Sequence, residues 1–467
     1  MSDLPEPPGL PLLGHVPALV RGPAMHRVLY AWRESYGPTF RIRLGRTTAV
    51  VISSPDIIAT MLRERPETFR RARAMSELIK EIGGHGLFDA EGDEWRRLRP
   101  LAIRGLKTAY LRNAFDTITR SAARLRDQWM AAATGERIPV LDDLMRYTLE
   151  VAVGLTMGHD LDAIGRRDEP GPHQQLSLVL DTLTRRMNSP LPYWRWVRLP
   201  ADRRTEAAVT QLSELIKERY ADAEQRVRTG KQPDNYVESL AEACLRNGDR
   251  ISEQDVTGSV LNMIVAGEDT TAATAAWAMH YLATHPQVQE RVRAEAAEVL
   301  GRDHYPADTT ALSRLTYAEA VVNEVIRLRP ASPFLMMETT TDTTVTDGRT
   351  ELRIDRGTVL VPLLTYGSDS DPERFPDPGV FDPDRWLSAA ARQPSHAQGF
   401  LPFGSGPRFC PGRNLALMES TLIVSMACHN FVIDPDTSAG PVGERVTFAV
   451  LPTRLGVRLS PIPAPAR

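Results

Sequence analysis

The longest uninterrupted helical pattern starts at Ser252, which forms a capping box with Asp255, and runs to His285 just before Pro286. Only Gly258 and Gly267 weaken it, and it is apolar enough to be buried through the core of the molecule. A second apolar helix follows Pro411–Gly412, where Leu415, Met418, Leu422 and Met426 recur at helical spacing. A third, TYAEAVVNEVIRLRP, carries an apolar stripe and is stopped by Pro330. Helical patterns also cover 24–36, Pro55 to Arg65, a short stretch after 74, the Trp95 region, 173–188 and 201–229. Leu111 to Gly158 is helical with a break around Gly135 to Pro139. Period-two patterning is confined to three places. TFRIRLGRTTAVVISS alternates on either side of Gly45–Arg46, a hairpin. Residues 339–366 form a small sheet with turns at Asp347–Gly348 and Arg356–Gly357, and VTFAVLPTRLGVRLSP reads as a hairpin turning at Pro452–Thr453. Residues 1–22, proline-rich from Pro5 to Pro17, read as an extended arm.

Composition narrows the class. The 467 residues are 42% hydrophobic and 25% charged, ample for a large core, with neither a linker nor an internal repeat. A net charge of −3 gives no hint of a nucleic-acid surface. The three cysteines, Cys244, Cys410 and Cys428, do not pair into a framework and fit a reducing compartment. MSDLPEPPGLPLLGH lacks the basic and apolar regions of a signal peptide, and no apolar run is long enough for a membrane-spanning helix.

Two stretches carry chemistry. In GFLPFGSGPRFCPGRNLALME, Gly404 and Gly406 permit positive φ and bring main-chain N–H groups close to a ligand. Cys410 sits just before a helix N-terminus, whose dipole favours thiolate, and free N–H groups there would tune a bound metal. Arg408 can point the other way, at an anion. In the middle of the long helix lies Ala266–Gly267–Glu268–Asp269–Thr270–Thr271. Acid and alcohol residues are poor helix formers and costly to bury, so this run needs a reason. Gly267 allows a flat ligand to approach and the helix to widen locally. The bland alternative is a threonine bonding back to the preceding turn beside a solvated Asp269.

Phe403–x–x–Gly406–x–Arg408–x–Cys410–x–Gly412 resembles, at every fixed position, the haem-binding loop of the cytochrome P-450 superfamily. The run at Ala266 and Gly267 resembles that family's oxygen-binding groove, which makes Asp269 the acid and Thr270 the alcohol of a proton relay. Trp95 and Arg99 match the pair that hydrogen-bonds a haem propionate, a sensible use of paired donors. Glu324 and Arg327 match an ion-paired network completed by a second arginine. Arg374, in Pro372–Glu373–Arg374–Phe375, spells the family tetrapeptide, but Arg385 has the right upstream Phe381 and is chosen. One departure stands out. After Pro330, where relatives place a basic residue for the second propionate, this chain has Met336 and Met337.

The resemblance implies a single domain over 1–467, mainly α with a small β-rich lobe, and haem b between the long helix and the Cys410 helix. It points to the soluble, bacterial-type version, hence a cytoplasmic location. The implied activity is a monooxygenase placing one atom of O2 into a C–H bond of a lipophilic small molecule such as a terpenoid, polyketide, fatty acid or steroid. Segment 74–94 would cover the pocket, giving Ile79, Ile82, Leu87 and Phe88 as wall residues, with Val265, Phe334, Leu335, Val450 and Leu451 as further contacts. Tyr193, Trp194 and Trp196 would face the entrance or anchor its loop. No GxGxxG opens a helix after a strand, so electrons must come from a separate ferredoxin and ferredoxin reductase drawing on NAD(P)H. Arg96, Arg97, Arg104 and Lys107 are either a dock for that acidic donor or a solvated helix face. A peroxide-using or non-oxygenating haem-thiolate enzyme, and a haem-based sensor, remain as alternatives.

Overall fold

A computed structural model describes residues 4–463 apart from 23, 107, 134, 167–170, 188, 190–191, 248–251, 350 and 389–398. Its axis is the helix Glu253–Thr284, capped as its sequence requires: Ser252 Oγ accepts from the Asp255 N–H at 3.1 Å and Asp255 returns the bond at 3.2 Å. Around it pack Val140–Met157, Thr316–Leu328 and Arg413–Asn430. Tyr147, Leu282, Val325 and Leu422, all fully buried, belong to the core these helices share. Gly258 lets the loop containing His85 lie directly on the long helix, since a side chain there would collide with the His85 carbonyl.

The β-rich lobe is built on a five-stranded sheet in the order Thr39–Leu44, Thr47–Ile52, Val359–Pro362, Met337–Thr339, Phe69–Arg71. The first two strands form the expected hairpin, Leu44 facing Thr47 across Gly45 at φ +64°. At the far edge, Arg71 stands directly opposite Met337. Helix Pro55–Arg63 buries Ile57, Ile58, Met61 and Leu62 against Val50, Ile52 and Leu360 of the sheet.

Two expectations need correction. The arm is extended only at its start, where the Arg41 N–H donates to the Pro5 carbonyl at 2.8 Å; Val16–Arg21 is helical, with Pro17 in the first turn, where its missing N–H costs nothing. The C-terminal hairpin does not turn at Pro452–Thr453. Val450–Thr453 pairs with Gly443–Val446, so the turn is Thr447–Phe448–Ala449, while Val457–Pro461 pairs with Phe431–Pro435. Pro452 is tolerated inside its strand because that sheet has only two strands. Thr447 closes the turn by donating its N–H and hydroxyl to the Ala449 carbonyl at 2.8 and 3.1 Å.

Candidate active site

The Cys410 loop is mounted on the β-rich lobe. Gly406 sits at φ +69° with the Leu62 carbonyl so close that any side chain would collide. The Cys410 N–H donates to the Phe403 carbonyl at 2.8 Å, closing the loop ahead of helix Arg413–Asn430. Burial pushes the Cys410 thiol up from its ordinary value, opposed by the N–H groups of Gly412 and Arg413 and by the charge of Arg99.

Trp95 and Arg99 share one face of helix Gly92–Gly105. Arg99 donates to the Phe409 carbonyl at 2.6 Å, next door to Cys410. Arg408 binds the Ala90 carbonyl and, at 2.6 Å, the Glu91 carboxylate, with its guanidinium 4.8 Å over the Trp95 ring. The Nε atoms of Arg99 and Arg408 are both buried without a partner. A thiol flanked by guanidinium groups with unspent donors is the donor set an anionic metal cofactor needs, so these residues fit haem.

On the long helix, Ala266 is exposed and Gly267 half-buried, whereas Glu268 and Asp269 are buried. Gly267 faces the Ala152 side chain across the packed helix Val140–Met157, and the helix stays regular through it; the expected local widening is not there. Asp269 is not solvated. Burial drives its carboxyl up to about 7, with Glu268 adding and Arg445 and Thr447 opposing. Its Oδ1 has no partner, and its Oδ2 lies 3.5 Å from the Thr447 hydroxyl. Glu268 is driven up to about 8 by burial. Thr270 does bond back, donating to the Ala266 carbonyl at 2.8 Å, which leaves its oxygen free to accept.

Behind this site, Glu324 is wholly buried and accepts from Arg327 at 2.6 and 2.8 Å, Arg385 at 3.2 Å, the Asp382 N–H at 2.9 Å and Trp386 Nε1 at 2.9 Å. Arg374 instead pairs with Asp371 at 3.2 Å. The sequence signal for Trp386 in this network is no more than an indole N–H next to Arg385.

A cavity beside the long helix is lined by Ile82, Phe88, Val265, Leu180, Asn262 and Phe448 among others. Of the expected wall residues, Ile79, Ile82, Phe88 and Val265 line it. Leu87 is buried beside it. Phe334 bridges Leu363, and Leu335 packs under the sheet. Val450 donates its N–H to the Ala331 carbonyl, and Leu451 is buried with Ala273. The misplaced turn explains the last two: the tip residue Phe448 is the one that reaches the cavity, its ring 5.2 Å from Phe88. Asn262, also missed, accepts from the Phe88 N–H at 2.8 Å and donates to the Gly84 carbonyl. An asparagine inside an apolar helix was its only sequence signal.

Trp194 anchors its loop by donating to Glu81 at 2.6 Å, Tyr193 accepts from Arg185, and Trp196 is exposed. Arg96, Arg97 and Arg104 each pair with acids of their own chain, Glu67 and Asp93, Asp255, and Glu242 respectively; Lys107 lies outside the described residues. No helix among the described residues is long and apolar enough to cross a membrane.

This mainly helical fold, with a cysteine loop leading into helix Arg413–Asn430 and a buried acid on the central helix against which that helix packs, defines a haem-thiolate protein. Residues 4–457 match the family model described as Cytochrome P450, and the chain belongs to that family. It is similar to human mitochondrial 25-hydroxyvitamin D-1 alpha hydroxylase, 28% identical over 480 residues covering 97% of this chain and 91% of that protein. It is similar too to the cyclooctat-9-en-7-ol 5-monooxygenase of Streptomyces melanosporofaciens (29% identity, 92% of this chain, 89% of that protein). Carnosic acid synthase of Salvia pomifera is 28% identical over 92% of this chain and 87% of its own length. The chain is a P450 monooxygenase, and its cofactor is haem b.

Proposed function

We propose that this monooxygenase hydroxylates a lipophilic small molecule of terpenoid, polyketide, fatty-acid or steroid type, using electrons from a separate ferredoxin and ferredoxin reductase. The observation that carries this reading is the apolar cavity of Ile82, Phe88, Val265 and Phe448, set on the same helix as Asp269 and Thr270. Relatives named for 25-hydroxyvitamin D and cyclooctat-9-en-7-ol support a lipophilic substrate.

In this reading Cys410 would ligate the haem iron, Trp95, Arg99 and Arg408 would bind a propionate, and Phe403, Gly412, Ala266 and Gly267 would line the cofactor site. Haem bound through cysteine thiolate supplies dioxygen activation. The remaining work belongs to the chain. Asp269, held near 7, can both take up and release a proton at Oδ1 near neutral pH. Thr270, with its hydroxyl hydrogen on the Ala266 carbonyl, offers an oxygen that accepts and orients. The apolar wall excludes water from the substrate. Glu324, Arg327 and Arg385 hold the structure behind the site. Three unpaired cysteines support a reducing compartment, and we place the enzyme in the cytoplasm as one domain.

The test is turnover under 18O2 with purified chain, a ferredoxin, its reductase and NADPH, across a panel of these lipophiles. Singly labelled alcohol is expected only when all proteins are present. Product from the chain and NADPH alone, or from peroxide equally well after Thr270→Ala, would overturn it.

A further inference from the structure

We propose that Arg65 and Arg71 form the binding site for the second haem propionate, supplying the cation that the strand beginning at Met337 lacks. This rests on the reading of Trp95, Arg99 and Arg408 as the first propionate's cradle.

Three observations converge. The first is register: Arg71 is the direct ladder partner of Met337, and directly opposed residues project from the same face of a sheet. The basic side chain missing from one strand therefore stands on its neighbour, at the same height and on the same side. The second is an unpartnered charge. Arg65 is only 4% exposed, its Nε has no partner, and its guanidinium makes no hydrogen bond or ion pair with any described residue. A guanidinium stays charged at neutral pH, so burial without an anion is destabilising until one arrives. The third is local excess. Burial, with Arg71 and Arg408 as cationic neighbours, lowers Arg65 to about 9; burial and Arg408 lower Arg71 to about 10.

The acids nearby are committed. Glu91 serves Arg408 at 2.6 Å and the Arg71 main-chain N–H at 2.9 Å. Asp89 serves His85 at 2.6 Å and the Gly86 N–H at 2.9 Å. Arg71 donates Nε to the Phe88 carbonyl at 3.0 Å and makes no ion pair among the described residues. Arg65 also lies two residues beyond helix Pro55–Arg63, whose Leu62 carbonyl touches Gly406 of the Cys410 loop. The ligand chemistry is thus a carboxylate arriving beside the cysteine ligand.

The experiment compares holoenzymes of the natural chain, Arg65→Gln, Arg71→Gln, Arg65→Lys and Arg99→Gln. Two readouts are taken: haem transfer to excess apomyoglobin, and the propionate bending band in resonance Raman spectra. Losing one charge-assisted hydrogen bond should speed haem loss by about tenfold or more for each Gln variant. The band should shift while the carbon monoxide spectrum of the reduced enzyme keeps its thiolate position. Arg65→Lys, which keeps the charge, should fall between. If Arg65→Gln yields no holoenzyme, Arg71→Gln and Arg65→Lys carry the test. Unchanged haem loss and an unmoved band in both the Arg65 and Arg71 variants, with Arg99→Gln altering both, overturns the proposal alone. Silence of Arg99→Gln as well overturns the underlying cradle. A variant that leaves haem untouched but weakens binding of a fatty acid relative to its methyl ester assigns the pair to a substrate carboxylate, which also overturns it.

Discussion

Replacing Asn262 with alanine should release the loop that roofs the cavity. Its amide is the only side chain of the long helix seen to bond that loop's backbone among the described residues, accepting from Phe88 and donating to the Gly84 carbonyl. The loop is also fastened by His85, whose ring bridges Asp89 at 2.6 Å and Glu94 at 2.8 Å, and by Arg71, which donates to the Phe88 carbonyl at 3.0 Å. Two hydrogen bonds between partly buried groups are worth about 1 kcal/mol each, so roughly 2 kcal/mol is lost. That corresponds to about a thirtyfold increase in the open population. Hydrogen exchange reads this directly: the Phe88 amide should exchange about thirtyfold faster under conditions where opening is in equilibrium. Amides of Ala272 to Met279, deep in the same helix, should not change. Asn262→Asp separates the two bonds, because it keeps the acceptor for Phe88 and loses the donor to Gly84. Phe88 protection within threefold of the natural chain in Asn262→Ala would refute the reasoning and assign the loop's position to His85 and Arg71.

Glu324→Gln removes the carboxylate that pairs with both buried Arg327 and half-buried Arg385, which should cost about 3–5 kcal/mol and lower the holoenzyme's melting temperature by several degrees. A change within one degree, followed by loss of the haem absorbance, would show that water already screens the network. Asp269 has a carboxyl pKa raised from 3.8 to about 7, so its neutral form is the one burial favours. Its contribution to stability is therefore full below about pH 4 and lost as pH rises through 7. Melting temperatures across that range should fall more for the natural chain than for Asp269→Asn, and parallel curves would refute it. Phe448→Ala removes the ring facing Phe88 and should widen the cavity. Binding-induced spectral shifts should then favour bulkier ligands, and an unchanged size preference would place Phe448 outside the substrate's reach.

Much of the helical frame is legible in sequence because its signals are local. The Ser252–Asp255 capping box, the apolar stripe ending at Pro330 and the glycines of the Cys410 loop each depend on residues within a few positions. Arg385 is likewise distinguished from Arg374 by near neighbours, its upstream Phe381 and its distance before the Cys410 loop. What escaped depends on pairing across long separations. Nothing near Pro452 reveals that Val450–Thr453 pairs backward with Gly443–Val446, and that one misplaced turn hid Phe448 behind Val450 and Leu451. Asn262 gains meaning only once Gly84 and Phe88 lie beside it. Glu268 and Asp269 were visible as costly residues to bury, but the size of their shifts depends on neighbours from other elements.

The pairing of Arg71 with Met337 carries a consequence for where a chemical role resides in a sheet. A rung of a ladder offers two addresses for one side chain, and the backbone is indifferent to which strand fills it. Exchanging the pair, Arg71→Met with Met337→Arg, should leave strand order and register intact and present the same charge on the same face, one strand in from the edge. A residue pattern read along one strand misses such a transfer; one read across the rung finds it.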